Sequence, residues 1–314
     1  MKRLLRLLAS GRSLRHRPVA LRADEQRPVR ARLTSGRGTV DVTPRLFPVS
    51  LIPFVVGLHS PGDLEIGAGA SVELRMEDEA TGTPLGGLRL RAERVLAAPG
   101  GEVLLLRPTH ARVRCVPALD RRWRHLLAWR QARMNARNPA AFAMSFPDLR
   151  ALNVFYMMPR PVFLVTAAHG DAGNLFPMDL VGPAEPGSFL LALRRTSASV
   201  ETMRASGRIV VSGMPAALKE AVYALGNQHR AGSIDWTRLP VAVERSPAFG
   251  LPVPADALRV RELEVRAVIE VGSHAFFDTR VAADTHRGDA PQLCHVSDMY
   301  ARWREARGRP FTGA

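Results

Sequence analysis

The chain has 314 residues, of which 46% are hydrophobic and 23% charged, and its formal net charge is +15. That length favours two domains or one with large extensions. The balance of residue types excludes wholesale disorder, a collagen-like repeat and a disulfide scaffold, and no run approaches the roughly 18 uncharged apolar residues of a membrane span.

Cys115 and Cys294 share no CxxC spacing, so neither a structural zinc site nor a disulfide framework is indicated and a cytoplasmic, reducing location is the expectation. Residues 1–46 carry 12 basic and 3 acidic side chains, residues 107–137 carry 9 and 1, and the remainder carries 23 and 25. All the basic residues except Lys2 and Lys219 are arginine, a bias that a GC-rich coding sequence produces without functional demand. The charge is therefore weak ground for a nucleic-acid partner.

Residues 1–46 read as a basic, Pro- and Gly-punctuated tail without regular structure. From 47 to 118 the pattern changes to short strands. Val72, Leu74 and Met76 alternate, as do Leu88, Leu90 and Ala92, and then Val113 and Cys115, with a turn at Pro99-Gly100-Gly101. This predicts a small antiparallel β domain, and it holds no cluster of His, Cys or acidic residues at ligand spacing. Residues 119–150 predict an Arg-rich helix and linker. Leu119, Trp123, Leu126, Leu127 and Met134 form an apolar stripe, Arg121, Arg124, Arg133 and Arg137 lie on the other side, and Asn138-Pro139 ends the pattern. A solvated arginine face is the plain reading of that helix, and docking on an anionic surface is the alternative.

Over 151–284 strands outnumber helices. Phe163–Ala168 and Ser188–Arg195 read as strands, Ser199–Ser206 as a short helix stopped by Gly207, and Ile209–Ser212 as a strand. A second helix opens at Pro215 and shows one face in Leu218, Ala221, Val222 and Leu225. A Pro-rich loop over 227–257 leads to the strand Leu263–Val271, a turn at Gly272-Ser273-His274 and a returning strand from Phe276. Without long crossover helices a barrel is favoured over a doubly wound sheet, so the predicted class is α+β, mainly β with α. Residues 285–314 form a C-terminal extension in which Met299, Arg302 and Trp303 suggest a helix.

The motifs exclude more than they select. There is no GxSxG elbow, no GxGxxG after a strand and no GxxxxGK[ST] loop. His286, Cys294 and His295 match no common zinc spacing, and no metal site is expected. One segment remains: in Arg194-Arg195-Thr196-Ser197-Ala198-Ser199 two guanidinium forks and three hydroxyls meet a helix N-terminus. Those groups suit a phosphate; ordinary N-capping with surface arginines is the simpler alternative.

From Pro159 to Asp284 the sequence resembles the flavin reductase-like family of FMN-binding split barrels. The pieces that carry the likeness occur in the family's order: PRPVFLVTAA, GNLFPMDL, SASVETMRASGRIVVS, EAVYALGNQH and LEVRAVIEVGSHAFFDTRVAA. The resemblance implies an FMN-binding split β-barrel acting as an FMN-dependent oxidoreductase, a homodimer with one FMN per subunit near the interface, NADH or NADPH as electron donor, and a protein or small-molecule acceptor. It places Asn174, Pro177 and Met178 beside the flavin ring. Ser197 and Ser199 fall on the phosphate with Arg194, Arg195 and Thr196 nearby, and His274 is a candidate wall of the pocket. Asp179 stands where the family prefers serine, which puts the ring site in question, and Thr202 stands where the family often has Asn. A flavin-binding module acting through a protein partner is the other function that this resemblance allows.

Overall fold

The computed structural model describes residues 16–313 except 23, 24, 26, 37, 99, 100, 138–142, 171, 184–186 and 227. The tail before residue 16, most of the turn expected at Pro99-Gly100-Gly101 and the helix stop at Asn138-Pro139 thus lie outside the described residues.

The first strands are β1 (His16–Leu21), β2 (Val29–Ser35), β3 (Gly38–Asp41), β4 (Leu46–Leu51), β5 (Phe54–Ser60), β6 (Ser71–Asp78), β7 (Pro84–Ala98) and β8 (Gly101–Val113). Strands within 16–46 correct the expectation of a structureless tail. Val29, Ala31 and Leu33 point inward, while Arg30 and Arg32 point outward onto Glu79 and Glu77. An Arg-rich stretch can therefore keep period-2 alternation, because each outward guanidinium finds a carboxylate on or just beyond β6.

Helix α1 (Ala118–Ala136) follows, and then α2 (Phe146–Phe155). On α1 it is Ala128 and Ala132 that are buried, whereas Leu119, Leu126, Trp129 and Met134 are exposed, so the expected apolar stripe does not face the core. Two small residues let α1 approach its neighbours closely, and Arg133 lies over the Trp129 ring at 4.8 Å.

The second half contains β9 (Arg160–Pro161), β10 (Phe163–His169), β11 (Ala172–Met178), β12 (Val181–Pro183) and β13 (Ser188–Arg194), then α3 (Ser199–Ser206) and β14 (Arg208–Gly213). A 3-10 turn at Ala216–Leu218 leads into α4 (Lys219–Ala224), so the helix expected from Pro215 is split in two. Short strands β15 (Val243–Arg245) and β16 (Pro252–Pro254) cross the Pro-rich loop before the long hairpin of β17 (Arg259–Val271) and β18 (His274–His286). The C-terminal extension supplies β19 (Gln292–Ser297), α5 (Asp298–Glu305) and β20 (Thr312–Gly313). The molecule is mainly β with a few helices.

Two seven-stranded sheets dominate, with orders β3-β2-β6-β7-β8-β5-β4 and β11-β10-β14-β17-β18-β13-β12. Every pairing in both is antiparallel. Within each sheet, ranked along its own stretch of chain, the order is the same: second, first, fifth, sixth, seventh, fourth, third. The chain thus contains one half-barrel topology twice. A smaller sheet, β20-β1-β19-β9, ties the start of the first unit to the end of the second.

The units meet through corresponding strands. Phe47, Val49, Val55, Val103 and Leu105 of the first unit share one buried cluster with Leu190, Ala192, Val271 and Phe276 of the second. Phe47 and Phe276 stack with centroids 5.9 Å apart. Buried Arg160 donates to the carbonyls of Leu46 and Val181, which open the third strand of each unit. Such use of equivalent surfaces is the hallmark of a two-fold interface, here within one chain. At Gly272, where φ is +54°, a Cβ would come within 2.6 Å of the Ile52 carbonyl oxygen, so this close approach requires glycine.

Candidate functional site

Helix α3 begins where β13 ends. Its N-cap position is Ala198, without a side-chain cap, and Gly207 ends it in the left-handed conformation. Capping by Thr196 or Ser197 is therefore not realised. The Ser197 hydroxyl instead donates to the His229 carbonyl at 2.5 Å, and the Ser199 hydroxyl accepts from the Asn174 amide at 3.1 Å. That amide also donates to the carbonyls of Gln228 and Ala231. Asn174 is thus brought together with Ser197 and Ser199, 23 and 25 residues further along the chain, under the loop that follows α4, while among the described residues the buried Asn174 Oδ1 has no hydrogen-bond partner.

Around this knot lie four basic side chains. Arg194 is held below the usual guanidinium range by burial and by Arg230. His229 is lowered by burial and then by Arg194 and Arg230, against the raising effect of its hydrogen bond to the Gly226 carbonyl. His274, directly opposite Arg194 on the ladder, is pushed down to about 4 by burial and by Arg194. Beyond burial, it is Arg194 and Arg230 that lower their neighbours, so the two guanidinium groups create a region of positive potential, which an anion relieves. Exposed Thr196 lies at its edge.

The remaining expected residues go elsewhere. Arg195 pairs with Glu270 at 2.7 Å, and Arg204 reaches the same carboxylate. Met178 packs into the barrel core with Phe163 and Phe189, and Pro177 is half-buried on the edge strand β11. His274 Nδ1 accepts from the Leu51 amide at 3.4 Å and contacts the Ser273 hydroxyl at 2.9 Å, so the first unit helps to fix this ring. The Ile52 amide donates to the Ser273 hydroxyl, and the Ser273 amide donates back to the Ile52 carbonyl.

Asp179 has turned to His295, whose Nδ1 is 2.7 Å from its Oδ2, and Tyr223 Oη lies 2.8 Å from the other ring nitrogen. Burial works against the carboxylate's charge, but the hydrogen bond and charge of His295 outweigh it and hold the group down to about 2. Asn174 and Asp179 lie five positions apart on extended chain, roughly 16 Å at about 3.3 Å per residue. The two clusters therefore occupy opposite ends of β11. Sequence reasoning missed His229, Arg230 and Tyr223 and weighed His295 only with His286 and Cys294; Tyr223 and His229 fall in the segment EAVYALGNQH, and Arg230 follows it. Near the second cluster, between the two units, a cavity of about 360 Å³ is lined by Arg27, Arg160, Phe163, Phe189, Arg259 and Arg261 among others.

Residues 155–304 match the family model described as flavin reductase like domain, and this bears out the resemblance read from the sequence. Among curated proteins no match is found. Similar solved structures include the NADH:FAD oxidoreductase SgcE6 of Streptomyces globisporus C-1027, 17% identical over 48% of this chain and 88% of that one, with a TM-score of 0.44. An FMN-binding protein from Thermus thermophilus is 21% identical over 41% of this chain and 73% of its own, with a TM-score of 0.38. The styrene monooxygenase flavin reductase of Pseudomonas putida S12 is 17% identical over 47% and 92%, with a TM-score of 0.40. Among the described residues no helix is long and apolar enough to cross a membrane.

Proposed function

We propose that the protein binds FMN in its second unit and works as an oxidoreductase of flavin reductase type, taking electrons from NADH or NADPH and delivering them to a separate acceptor. The observation that carries this reading is the charge-coupled group of Arg194, Arg230, His229 and His274, tied to the segment that leads into α3 by the Ser197–His229 hydrogen bond, within a domain matched by the flavin reductase model. Guanidinium groups and helix N-terminal amides together recognise a phosphate dianion. The buried Asn174 Oδ1, without a partner among the described residues, is an acceptor for an N–H or O–H of the ligand rather than for its phosphate. When bound, FMN supplies the two-electron chemistry, and the chain supplies binding, orientation and electrostatics.

In this reading Arg194 and Arg230 hold the phosphate and Thr196 donates from the rim. Ser197 and Ser199 act indirectly: the Ser197 hydroxyl holds the His229 carbonyl, the Ser199 hydroxyl holds the Asn174 amide that binds the Gln228 and Ala231 carbonyls, and together they exclude water from that end of the site. The first unit takes the role for which a homodimer would need its second subunit, because its Leu51-Ile52 corner braces the Ser273-His274 turn in cis. A second reading, a flavin-binding module that works through a protein partner, is favoured by the exposed apolar side chains Leu119, Leu126, Trp129 and Met134 on α1.

The test is a visible spectrum of the full-length protein after addition of FMN, followed by NADH or NADPH. Flavin that co-elutes with the protein and is bleached by either nucleotide, with turnover in air, is the expected result. Bound flavin that neither nucleotide reduces would favour the partner-dependent module, and absence of flavin binding would overturn both readings.

A further inference from the structure

We infer that His16, Asp179 and His295 form a site for one divalent first-row transition-metal cation, of which Zn²⁺ is the best fit. One potential ligand atom from each residue lies within 4.8 Å of the other two. Two donors on a tetrahedral zinc ion, each bonded at about 2.0–2.2 Å, stand roughly 3.3–3.6 Å apart, so the more distant of these atoms must close in. Small side-chain rotations therefore close the set.

The backbone explains why these three meet. On the antiparallel β1–β19 ladder His16 lies opposite Ser297 and His295 opposite Pro18, so the two imidazoles occupy diagonal positions on one face. Cys294, one residue from His295, points into the hydrophobic core and is not a donor. Asp179 arrives from the end of β11 in a different sheet. The ligands are separated by 163 and 116 residues. Linear spacing could not reveal them, which is why the sequence led to the expectation of no metal.

A second observation points to a ligand. His16 Nε2 is buried and has no hydrogen-bond partner among the described residues, and the ring stacks face to face on Tyr156 at 3.6 Å with a 4° interplanar angle. An orphaned imidazole nitrogen is costly in a protein interior unless something fills its lone pair or takes its proton. The groups behind the cluster fit an outer shell. Tyr223 engages His295 Nε2 at 2.8 Å, leaving Nδ1 for the ion, in the way that second-shell partners orient metal-binding imidazoles. The 2.7 Å contact between His295 Nδ1 and Asp179 Oδ2 holds a single proton, whose place the cation takes.

Two imidazoles and one carboxylate select zinc and its neighbours over Ca²⁺ or Mg²⁺, which prefer oxygen donors. The side chains of His295 and Asp179 are 21% and 15% exposed, enough for water to complete the coordination. Buried Arg160, held by the Leu46 and Val181 carbonyls, interacts with Asp179 and places a positive charge nearby, so moderate affinity is expected. The inference is independent of flavin binding.

The experiment titrates chelator-stripped full-length protein with Co²⁺ and then displaces it with Zn²⁺. One equivalent of Co²⁺ should give visible d–d bands that one equivalent of Zn²⁺ abolishes, and Asp179→Asn and His16→Gln should each weaken binding at least tenfold. X-ray absorption of the zinc-loaded wild type gives a readout that needs no variant, and two imidazole ligands are expected. No saturable Co²⁺ binding, variants that fold and bind as wild type does, or fewer than two imidazoles on zinc would each overturn the site.

Discussion

Asp179 and His274 carry the clearest consequences at the scale of single residues. The Asp179 carboxylate, held down to about 2 against an unfolded value of 3.8, contributes stability that is complete above pH 4 and is lost as pH falls toward 2. At about 1.4 kcal/mol per pKa unit this is on the order of 2 kcal/mol. Asp179→Ser, the residue that the family prefers here, should therefore lower the urea-unfolding free energy at pH 7 by roughly that amount, because it strands His295. An unchanged unfolding free energy would show that the pair does not support the fold.

His274 is shifted in the same direction, here because burial favours its neutral form. Its imidazole is pushed down to about 4, so between pH 6.5 and 4 the unfolded chain binds a proton that the folded one does not. Stability falls as pH drops through that window, by about 2 kcal/mol from pH 7 to 5 for one such histidine. In His274→Gln the pH dependence should flatten by that amount; an identical pH profile would remove His274 from the account. Neither effect was legible in the sequence, where Asp179 stood out as a departure from a motif and His274 as a turn residue and candidate pocket wall. Their partners, His295, Leu51 and Arg194, become visible only once the strands are paired.

At the scale of elements, legibility followed the strength of the local period. The β10, β13 and β17–β18 strands and the α3 helix with its Gly207 stop were readable because alternation or helical spacing coincided with clear turn residues. Strands β1 to β3 were hidden by composition: a stretch dense in Arg and Pro looks disordered, although Val29, Ala31 and Leu33 alternate within it. Helix α1 was placed correctly and oriented wrongly, since the large apolar residues drew attention while the small ones, Ala128 and Ala132, made the contact. Strand β4 offers the element-scale test. Phe47 is fully buried against Phe276 at the junction of the units, so Phe47→Ala should destabilise the chain by about 3–5 kcal/mol in chemical denaturation. A loss below 1 kcal/mol would mean that the junction contributes little to the fold.

Across the whole molecule, the repeated strand order is the feature that sequence could least reveal. Hydrophobic alternation gives strands, but pairing order depends on contacts far apart in the chain, and the two units differ in what joins their fourth and fifth strands. In the second unit that connection is the α3 segment; in the first it is the loop over residues 61–70. The proposed phosphate site thus lies in the second unit, with the first unit packed against that unit through equivalent strands. One FMN per chain is therefore predicted. Its affinity should stay constant when the protein is diluted a hundredfold, because the bracing surface is covalently attached. Affinity that weakens on dilution, measured by flavin fluorescence, would show that a second chain is needed.

The central claim is that α3 and Arg194 receive the phosphate of FMN, and calorimetric titration of FMN and riboflavin into wild type and Arg194→Ala tests it most directly. Charge-assisted hydrogen bonds contribute about 1.5–3 kcal/mol each. Wild type should accordingly bind FMN at least tenfold more tightly than riboflavin, at one per chain, and Arg194→Ala should lose most of that preference while binding riboflavin as before. Equal affinity of the wild type for the two flavins, or a preference for FMN that survives the loss of Arg194, would contradict the assignment.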